Sequence, residues 1–447
     1  RYIALSVLFP ALAAAGIACA GCGWFALCAY PVLLDLWIRL ENPVFLRFVP
    51  VNPIFSMEVQ TPVPDDARTL CVIAALAATP EQARTLAEKL GEYALAAKGG
   101  KNLSFGLLLD LREAESPVEP EDAAIVNAAA QAIAALNAGS GTGFYLFTRP
   151  RQWSESEQAY IPRERKRGAL EALCALLRGG ESELQASAAL PQNIRYIATL
   201  DADTEPAIGA LPQAIAALRH PLNRPVIAHG RVQAGHALVQ PRLSRALRRD
   251  SLFAEAYAGQ GGFDAYGAAA PDFYQNLCGE TNFTGKGVFD VDAYMQVLYG
   301  SLPEERILSH DLLEGAYLRA GFCPQAEFFE DFPQSASAYF GREHRWIRGD
   351  WQAAPWIFPH IKAKDGQRVR NPLPASAKLR IFDNLRRSLR PVFQLALIFI
   401  AVYTSAPDWL LILAVLSFLP DLLGCTVMPR EEYRARIPDT MARTLRR

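Results

Sequence analysis

The chain has 447 residues, and its 45 lysines and arginines against 46 aspartates and glutamates give a formal net charge of −1. That balance argues against a nucleic-acid partner, because phosphate backbones are bound by basic surfaces. Hydrophobic residues make up 51% of the sequence and charged residues only 20%, and the apolar excess lies mostly at the two ends. We therefore expect a folded central domain between membrane-associated segments.

The amino-terminal stretch 3–29 carries no charge. It exceeds the roughly 20 apolar residues that span a bilayer, which predicts a transmembrane helix. The next stretch, 30–43, is amphipathic and carries Asp35 and Arg39, which suits a helix lying in the membrane interface in contact with lipid. Residues 1–44 thus form a membrane unit. Because the sequence begins at Arg1, we interpret it as part of a longer protein.

Strand and helix patterns alternate from residue 69 onward. The run TLCVIAAL (69–76) is typical of a buried parallel strand. Thr79, Pro80 and Gln82 then supply the cap, the first-turn proline and the capping-box residue of a helix. Further strands are predicted at 103–111, 143–150 and 194–200, and further helices at 121–137 and 163–178. This alternation predicts an α/β domain over 45–380, with a mostly parallel sheet flanked by helices.

Three carboxylates are predicted at one edge of this sheet. Asp110 ends the second strand, and Asp201 and Asp203 follow the fourth in the sequence YIATLDADT. A solvated acidic turn is the simple alternative for such a pair. However, open α/β sheets bind ligands at the carboxyl ends of their strands. Asp201 and Asp203 can share Mg²⁺ or Mn²⁺, whose shell substrate phosphates complete, so the pattern favours a nucleotide-diphosphate site.

Two later stretches offer further polar groups. The glycine-rich sequence LCGETNFTGKGVFDVDAY (277–294) contains Glu280 and Asn282, which are suitable partners for sugar hydroxyls. In ILSHDLLEG (307–315), Asp311 follows His310 at the predicted start of a helix. A carboxylate there is either a helix cap or a general base.

Basic residues are interleaved with tryptophans in GREHRWIRGDWQ (341–352). The residues concerned are Arg342, Arg345, Trp346, Arg348 and Trp351. A solvated basic face is the ordinary interpretation. Arginine also binds diphosphate oxygens in a fork, and indole faces stack on sugar rings. Earlier in the chain, ERKRGALEAL (164–173) places Lys166 at a helix start, beside the predicted position of a uridine diphosphate.

A second apolar region covers 391–424 and is interrupted at Ser405–Asp408. It predicts a hairpin of two transmembrane helices within a carboxy-terminal unit, 381–447, that also holds an amphipathic linker and a basic tail. Arginines flank this region on both sides: Arg386, Arg387, Arg390, Arg430, Arg434 and Arg436. The positive-inside rule then predicts a multi-pass inner-membrane protein with its catalytic domain in the cytoplasm.

Taken together, these motifs resemble the processive membrane glycosyltransferases of the GT-A fold. More specifically, residues 45–390 resemble the glycosyltransferase domain of the cyclic β-1,2-glucan synthases, glycosyltransferase family 84. The matching stretches include LFTRPRQW, ERKRGAL, YIATLDADT, HPLNRPVI, GHALVQPR, FTGKGVFDVDAY, ILSHDLLEG, HRWIRGDWQ and KLRIFDNLRRSL. The resemblance implies UDP-glucose as donor, a glucan acceptor, a divalent metal and further domains of a longer synthase.

The resemblance also implies roles for individual residues. It assigns metal and diphosphate to Asp201 and Asp203, and the general base to Asp311. It also places Arg342, Arg345 and Trp346 in an R-x-x-R-W motif. Combining this with the motifs above, we predict donor contacts from Asp110, Lys166, Arg342, Arg345 and Trp346, and acceptor contacts from Glu280 and Trp351. Related enzymes usually have Gln where this chain has Arg342, and the first strand ends in AALAAT, where a more polar turn is expected.

The reaction implied is one inverting displacement, with Asp311 removing a proton from the acceptor hydroxyl. Three alternatives stay open. One is a synthase of another β-linked polysaccharide. Another is a glycoside hydrolase or phosphorylase acting on β-1,2-glucan, which needs a pair of acidic residues flanking one bond. The third is a non-catalytic membrane partner that binds glucan.

Overall fold

The computed structural model describes residues 2–19, 23–246, 251–257, 272–307, 310–364, 366–404, 408 and 411. Its helices are α1 (Tyr2–Cys19), α2 (Gly23–Phe48), α3 (Pro80–Ala97), α4 (Asp122–Gly139), α5 (Arg165–Leu177), α6 (Ala210–Arg219), α7 (Leu252–Tyr257), α8 (Phe273–Cys278), α9 (Val291–Val297), α10 (Asp311–Tyr317), α11 (Ala336–Ala353) and α12 (Ala375–Tyr403). Its strands are β1 (Thr69–Ala77), β2 (Leu103–Leu111), β3 (Phe144–Thr148), β4 (Gln152–Ser154), β5 (Ala159–Ile161), β6 (Gln185–Ala186), β7 (Tyr196–Leu200), β8 (Thr204–Pro206), β9 (Val226–Ala228), β10 (Arg231–Ala234), β11 (Leu238–Arg245), β12 (Gly287–Asp290), β13 (Gly321–Glu330), β14 (His360–Lys362) and β15 (Arg368–Arg370).

A nine-stranded mixed sheet forms the centre of the fold, in the order β6-β3-β2-β1-β7-β12-β11-β13-β8. Strands β3, β2, β1 and β7 are mutually parallel. The antiparallel strand β12 then separates β7 from β11, and β11 pairs in parallel with β13. The predicted α/β class with a mostly parallel sheet is confirmed. The antiparallel insertion of β12 was not predicted.

Both faces of the sheet are covered by helices. Because side chains alternate along each central strand, successive residues are buried in the two opposite cores. In β1, Cys71 and Ile73 face a core shared with α3, α4 and α6. Leu70 and Val72 face the opposite core, which contains residues of α5, α9, α10 and α12. The strand therefore appears in the sequence as a continuous apolar run.

The capping pattern predicted for α3 is confirmed. The Thr79 hydroxyl accepts the backbone N–H of Gln82 at 3.2 Å, and the Gln82 side chain accepts the N–H of Ala78 at 3.0 Å. These bonds satisfy two donors at the helix entry. The helix ends where Lys98 adopts a left-handed conformation, just before Gly99 and Gly100.

The amino-terminal segment does not form the single helix that was predicted over 3–29. Helix α1 packs antiparallel to α2. Two hydrogen bonds show this arrangement, from Tyr2 to Asn42 and from Ser6 to Glu41. Within the residues that the structure describes, no helix is long and apolar enough to cross a bilayer. Helix α12 runs through the predicted boundary at 380/381, and most of the predicted hairpin beyond residue 404 lies outside the described residues.

Candidate active site

Asp201 lies where β7 ends, and two lysines contact its carboxylate. The Lys166 ammonium, from α5, lies 2.5 Å from Oδ1, and the Lys286 ammonium lies 3.2 Å from Oδ2. Burial alone would raise the pKa of Asp201, but these two charges lower it below its usual range. Asp201 is therefore a carboxylate at any physiological pH.

Lys286 connects two strands at this edge of the sheet. It follows Gly285, whose φ of +85° requires glycine, and precedes β12. Its side chain is 11% exposed and also lies 2.6 Å from Glu330, the last residue of β13. Burial would lower the pKa of Lys286, yet Asp201 and Glu330 raise it, so the ammonium stays charged.

Asp203 faces the basic helix α11. Arg342 donates to its carboxylate at 3.3 Å, which joins a residue predicted to bind metal to one predicted to bind the donor. Asp203 and Arg342 keep 33% and 27% of their side chains exposed. Both are therefore accessible to a ligand at the carboxyl ends of the strands.

Asp311 packs against the same glycine turn. A Cβ added to Gly285 would lie 2.9 Å from both Asp311 carboxylate oxygens, and the Gly285 carbonyl accepts a hydrogen bond from Lys166 at 2.6 Å. Asp311 is the first residue of α10, and the cap position belongs to His310. Burial raises the pKa of Asp311 above its usual range, as suits a group that accepts a proton.

His310 and Glu314 stabilise the start of α10. The His310 Nδ1 lies 2.9 Å from Glu314 and 3.6 Å from Asp311. Burial would lower the pKa of His310, but the two carboxylates raise it. Ligand atoms of these three residues lie within 4.8 Å of one another, a spacing that could hold a cation. We interpret the group as an ion pair beside Asp311, because His310 and Glu314 already neutralise each other.

The hard carboxylate oxygens of Asp201 and Asp203 are the donors that Mg²⁺ and Mn²⁺ prefer. Both oxygens of Asp201 contact lysines here, so a cation at this carboxylate displaces an ammonium group. Asp201 and Asp203 keep similar fractions of their side chains exposed, 34% and 33%. The oxygen chemistry of the pair suits a divalent cation.

Asp110 stands at the predicted edge but engages a buried arginine. Arg149, whose side chain is fully buried, donates to both Asp110 oxygens at 2.7 and 2.8 Å. Arg149 also donates to the carbonyls of Arg163 and Arg165 at 2.7 and 2.6 Å. These contacts fix the entry to α5 two residues from Lys166, which favours a positioning role for Asp110 over a direct donor contact.

Glu280 lies in a separate buried cluster. It contacts Arg231 and Arg380 at 3.4 Å each and accepts from Ser376 at 2.6 Å. Its side chain is 3% exposed. This placement favours a structural role, in which Glu280 binds α12 to the sheet.

The remaining predicted residues, Arg345, Trp346 and Trp351, lie further along α11. Arg345 and Trp346 are exposed, as is Trp351, whose indole donates to Ser388 of α12 at 3.1 Å. Trp346 and Trp351 are five positions apart and therefore point about 140° away from each other around the helix. The two tryptophans thus face different surroundings.

Lys286 and Glu330 are the site residues that the sequence analysis missed. The glycines on either side of Lys286 were noted, but not the lysine itself. A positively charged residue in a glycine turn beside a strand is the signal that was available. Glu330 is harder to recognise from sequence, since the only local feature is an acidic residue at the end of the alternating strand β13.

Comparisons with known proteins support the resemblance. No family model matches the chain. Over 408 residues, the chain is 36% identical to cyclic beta-(1,2)-glucan synthase NdvB from Rhizobium meliloti (strain 1021), covering 88% of the chain. The chain is similar to one segment of a cyclic β-1,2-glucan synthase. This confirms the resemblance seen in the motifs, and the match spans 14% of that relative's length.

Among solved structures, the chain is similar to the mannosyltransferase PcManGT from Pyrobaculum calidifontis, which was solved in complex with GDP-Man and Mn²⁺. The sequence identity is 13% and the TM-score is 0.46, with 93% of this chain and 96% of the other covered.

Proposed function

We propose that this chain transfers glucose from UDP-glucose to a growing β-1,2-glucan with inversion at the anomeric carbon. The observation that carries the proposal is the convergence of Asp201, Asp203, Asp311, Lys166 and Arg342 at the carboxyl edge of the sheet. The sequence similarity to a glucan synthase supports the choice of substrates.

Each group has a chemical task in a single displacement. Asp311 takes the proton of the acceptor hydroxyl as its oxygen bonds to the anomeric carbon. The bond from that carbon to the diphosphate oxygen breaks, and UDP leaves with the electron pair. Lys166 and Arg342 place positive charge where the diphosphate charge develops. Asp201 and Asp203 would hold a divalent cation, which would supply further electrostatic stabilisation of that charge.

The decisive experiment measures UDP release from UDP-glucose with a linear β-1,2-glucooligosaccharide as acceptor, in Mn²⁺ and in EDTA. We expect turnover only with Mn²⁺. We also expect its loss in Asp203→Ala, whereas the surface variant Glu88→Ala keeps it. Full activity in EDTA contradicts the metal assignment.

The same assay separates the alternatives. Glucose released from glucan without a donor indicates a hydrolase, and glucose 1-phosphate formed with phosphate indicates a phosphorylase. A product of another linkage indicates a different synthase. Glucan binding without any turnover indicates a non-catalytic partner.

We also propose an inner-membrane location with the catalytic domain facing the cytoplasm, where UDP-glucose is made. The arginines around 391–424 support this orientation. Protease added to intact spheroplasts should leave residues 60–380 uncut. Cleavage between residues 60 and 380 by the external protease would contradict the cytoplasmic orientation.

A further inference from the structure

The motif RPRQW (149–153) has no part in the chemistry described so far. Its two arginines are buried and anchor the segment. Arg151 donates to both oxygens of Asp122 at 2.5 and 2.8 Å and to the carbonyl of Arg112 at 2.6 Å. Arg149 is anchored by Asp110, as described above. These contacts hold the start of the β4–β5 hairpin firmly against the sheet domain.

Trp153 projects from this anchored hairpin. Its side chain is 45% exposed, and its ring packs against Tyr160 in an edge-to-face arrangement, with 5.3 Å between the ring centroids. Tyr160 in turn exchanges two backbone hydrogen bonds with Ala114, at 3.0 and 2.9 Å. The indole is therefore supported from one side and open to solvent on another, as in an aromatic platform for a ligand.

Trp153 lines a cleft of about 180 Å³ formed by four segments. These are the β4–β5 hairpin, the entry to α5, the loop 304–307 and one side of α11. Two of them lie close in the sequence to residues of the proposed active site. Arg165 precedes Lys166, and Ile307 lies four residues before Asp311.

The charged side chains of the cleft largely neutralise one another. Arg163 lies 2.5 Å from Glu304, and Arg348 lies 3.6 Å from Glu157. The cleft therefore lacks the open cationic field that an anionic nucleotide needs. An exposed indole surrounded by amide, hydroxyl and paired charged groups suits a neutral ligand rich in hydroxyl groups.

We propose that this cleft binds glucosyl units of the acceptor glucan, away from the reacting hydroxyl, with Trp153 stacking on a sugar ring. The volume matches a short segment better than a long chain, since ligand pockets for larger molecules reach about 300–1,000 Å³. The assignment of glucan as the occupant rests on the proposed function.

The test is the affinity of the whole chain for a linear β-1,2-glucooligosaccharide, measured by calorimetry without donor or metal. We expect Trp153→Ala to weaken binding by about tenfold or more, because a stacking face is lost, and Trp153→Phe to restore part of it. Tyr299→Ala is the matched control, since Tyr299 is also 45% exposed and does not line the cleft.

A kinetic measurement accompanies the binding assay. Trp153→Ala should raise the acceptor KM while the affinity for UDP stays unchanged. Equal oligosaccharide binding by Trp153→Ala and the unchanged chain overturns the proposal, as does an unchanged chain that binds no oligosaccharide. Failure of the proposed function gives a different result, namely no turnover of UDP-glucose by the unchanged chain while Trp153-dependent binding persists.

Discussion

Asp311 combines the position and the environment expected of a general base. It packs against the Gly285 turn, whose carbonyl accepts a hydrogen bond from Lys166. Burial raises the pKa of Asp311. Replacing it with Asn keeps the shape but removes the basicity. We expect glucosyl transfer to fall about a hundredfold to ten-thousandfold, while UDP binding measured by calorimetry changes little. Transfer that survives in Asp311→Asn rejects this role and directs attention to Glu314.

The raised pKa of Asp311 also predicts a pH dependence. A base acts in its deprotonated form, so activity should fall as the pH falls through its pKa. Because that pKa is raised, the fall should occur at higher pH than for an ordinary aspartate. A pH profile of kcat/KM measures this limb. Activity that stays constant well below pH 4 contradicts it.

In the proposed metal site, Lys286 would compete with the divalent cation for Asp201, which leads to two predictions of opposite sign. Lys286→Met removes a charge 3.2 Å from Asp201, so Mn²⁺ should bind about tenfold more tightly. Glu330→Gln removes the other acidic partner of Lys286 and should weaken Mn²⁺ binding. Electron paramagnetic resonance of free Mn²⁺ measures both without substrate.

Lys362→Met, an exposed substitution, is the control for that measurement, and thermal melting verifies that each variant is folded. Shifts of the same sign in Lys286→Met and Glu330→Gln contradict the competition. Equal affinities in all variants place the cation elsewhere, with His310, Asp311 and Glu314 as the next candidates.

At the level of single residues, sequence reasoning succeeded where a strand end determined the location. Asp201 and Asp203 follow a recognisable buried strand, and the structure has them at the end of β7 as predicted. Their role as metal ligands stays a prediction. Lys286 was missed because its contact depends on β12 inserting antiparallel between β7 and β11. No local pattern encodes that neighbour.

At the scale of the secondary-structure elements, the entry to α5 carries an unusual backbone conformation that several contacts stabilise. Glu164 and Arg165 are consecutive non-glycine residues with φ of 52° and 50°, a conformation that costs about 1–3 kcal/mol for each residue. The guanidinium of Arg149 stabilises it through two carbonyls. The turn fixes where Lys166 meets Asp201.

Gly168→Ala tests this turn. A Cβ there would lie 2.0 Å from the Arg163 carbonyl, so the substitution should destabilise the fold by about 1–3 kcal/mol and weaken UDP-glucose binding. Helix propensity alone predicts that alanine stabilises the fold by up to about 1 kcal/mol. The sign of the measured change in stability therefore distinguishes the two effects. Gly139→Ala, with nothing within 4 Å, is the control. Denaturant unfolding and calorimetry measure both effects, and a stabilised Gly168→Ala contradicts the prediction.

The parallel βα units were predictable because caps and apolar runs mark their ends, as at Thr79 and in β1. The β4–β5 hairpin was not, since its strands have three residues each and alternate only briefly. The burial of Glu280 could not be predicted, because its partners Arg231 and Arg380 lie 49 and 100 positions away in the sequence. The motif alone therefore suggested a ligand contact. Short strands and distant ion pairs leave little local signal.

In the molecule as a whole, a buried ion cluster joins the two ends of the chain. Asp35 of α2 accepts hydrogen bonds from Arg386 of α12, and it also pairs with Arg39 and Arg390 at 3.0 and 3.1 Å. Asp35 is 2% exposed. The segments predicted as separate membrane units therefore pack together.

Asp35→Ala should destabilise the protein by about 3–5 kcal/mol, because it removes a buried carboxylate that three arginines share. The exposed pair Arg178–Asp292 offers the control, and Asp292→Ala should cost less than about 1 kcal/mol. Chemical unfolding of the purified chain compares the two variants. If both variants lose a similar free energy of unfolding, the contacts of Asp35 with α12 do not stabilise the fold.

Helix α12 connects distant regions without an intervening loop. Its 29 residues extend about 43 Å at 1.5 Å per residue. Near one end, Arg380 donates to the carbonyl of Thr281, four residues before the Gly285 turn. Its other end carries the apolar residues that were predicted to enter the membrane. If the apolar end enters the bilayer, as proposed above, a tilt of that end would shift Arg380 and with it the loop that leads to the Gly285 turn. Bilayer thickness would then act as a mechanical input to the proposed transfer.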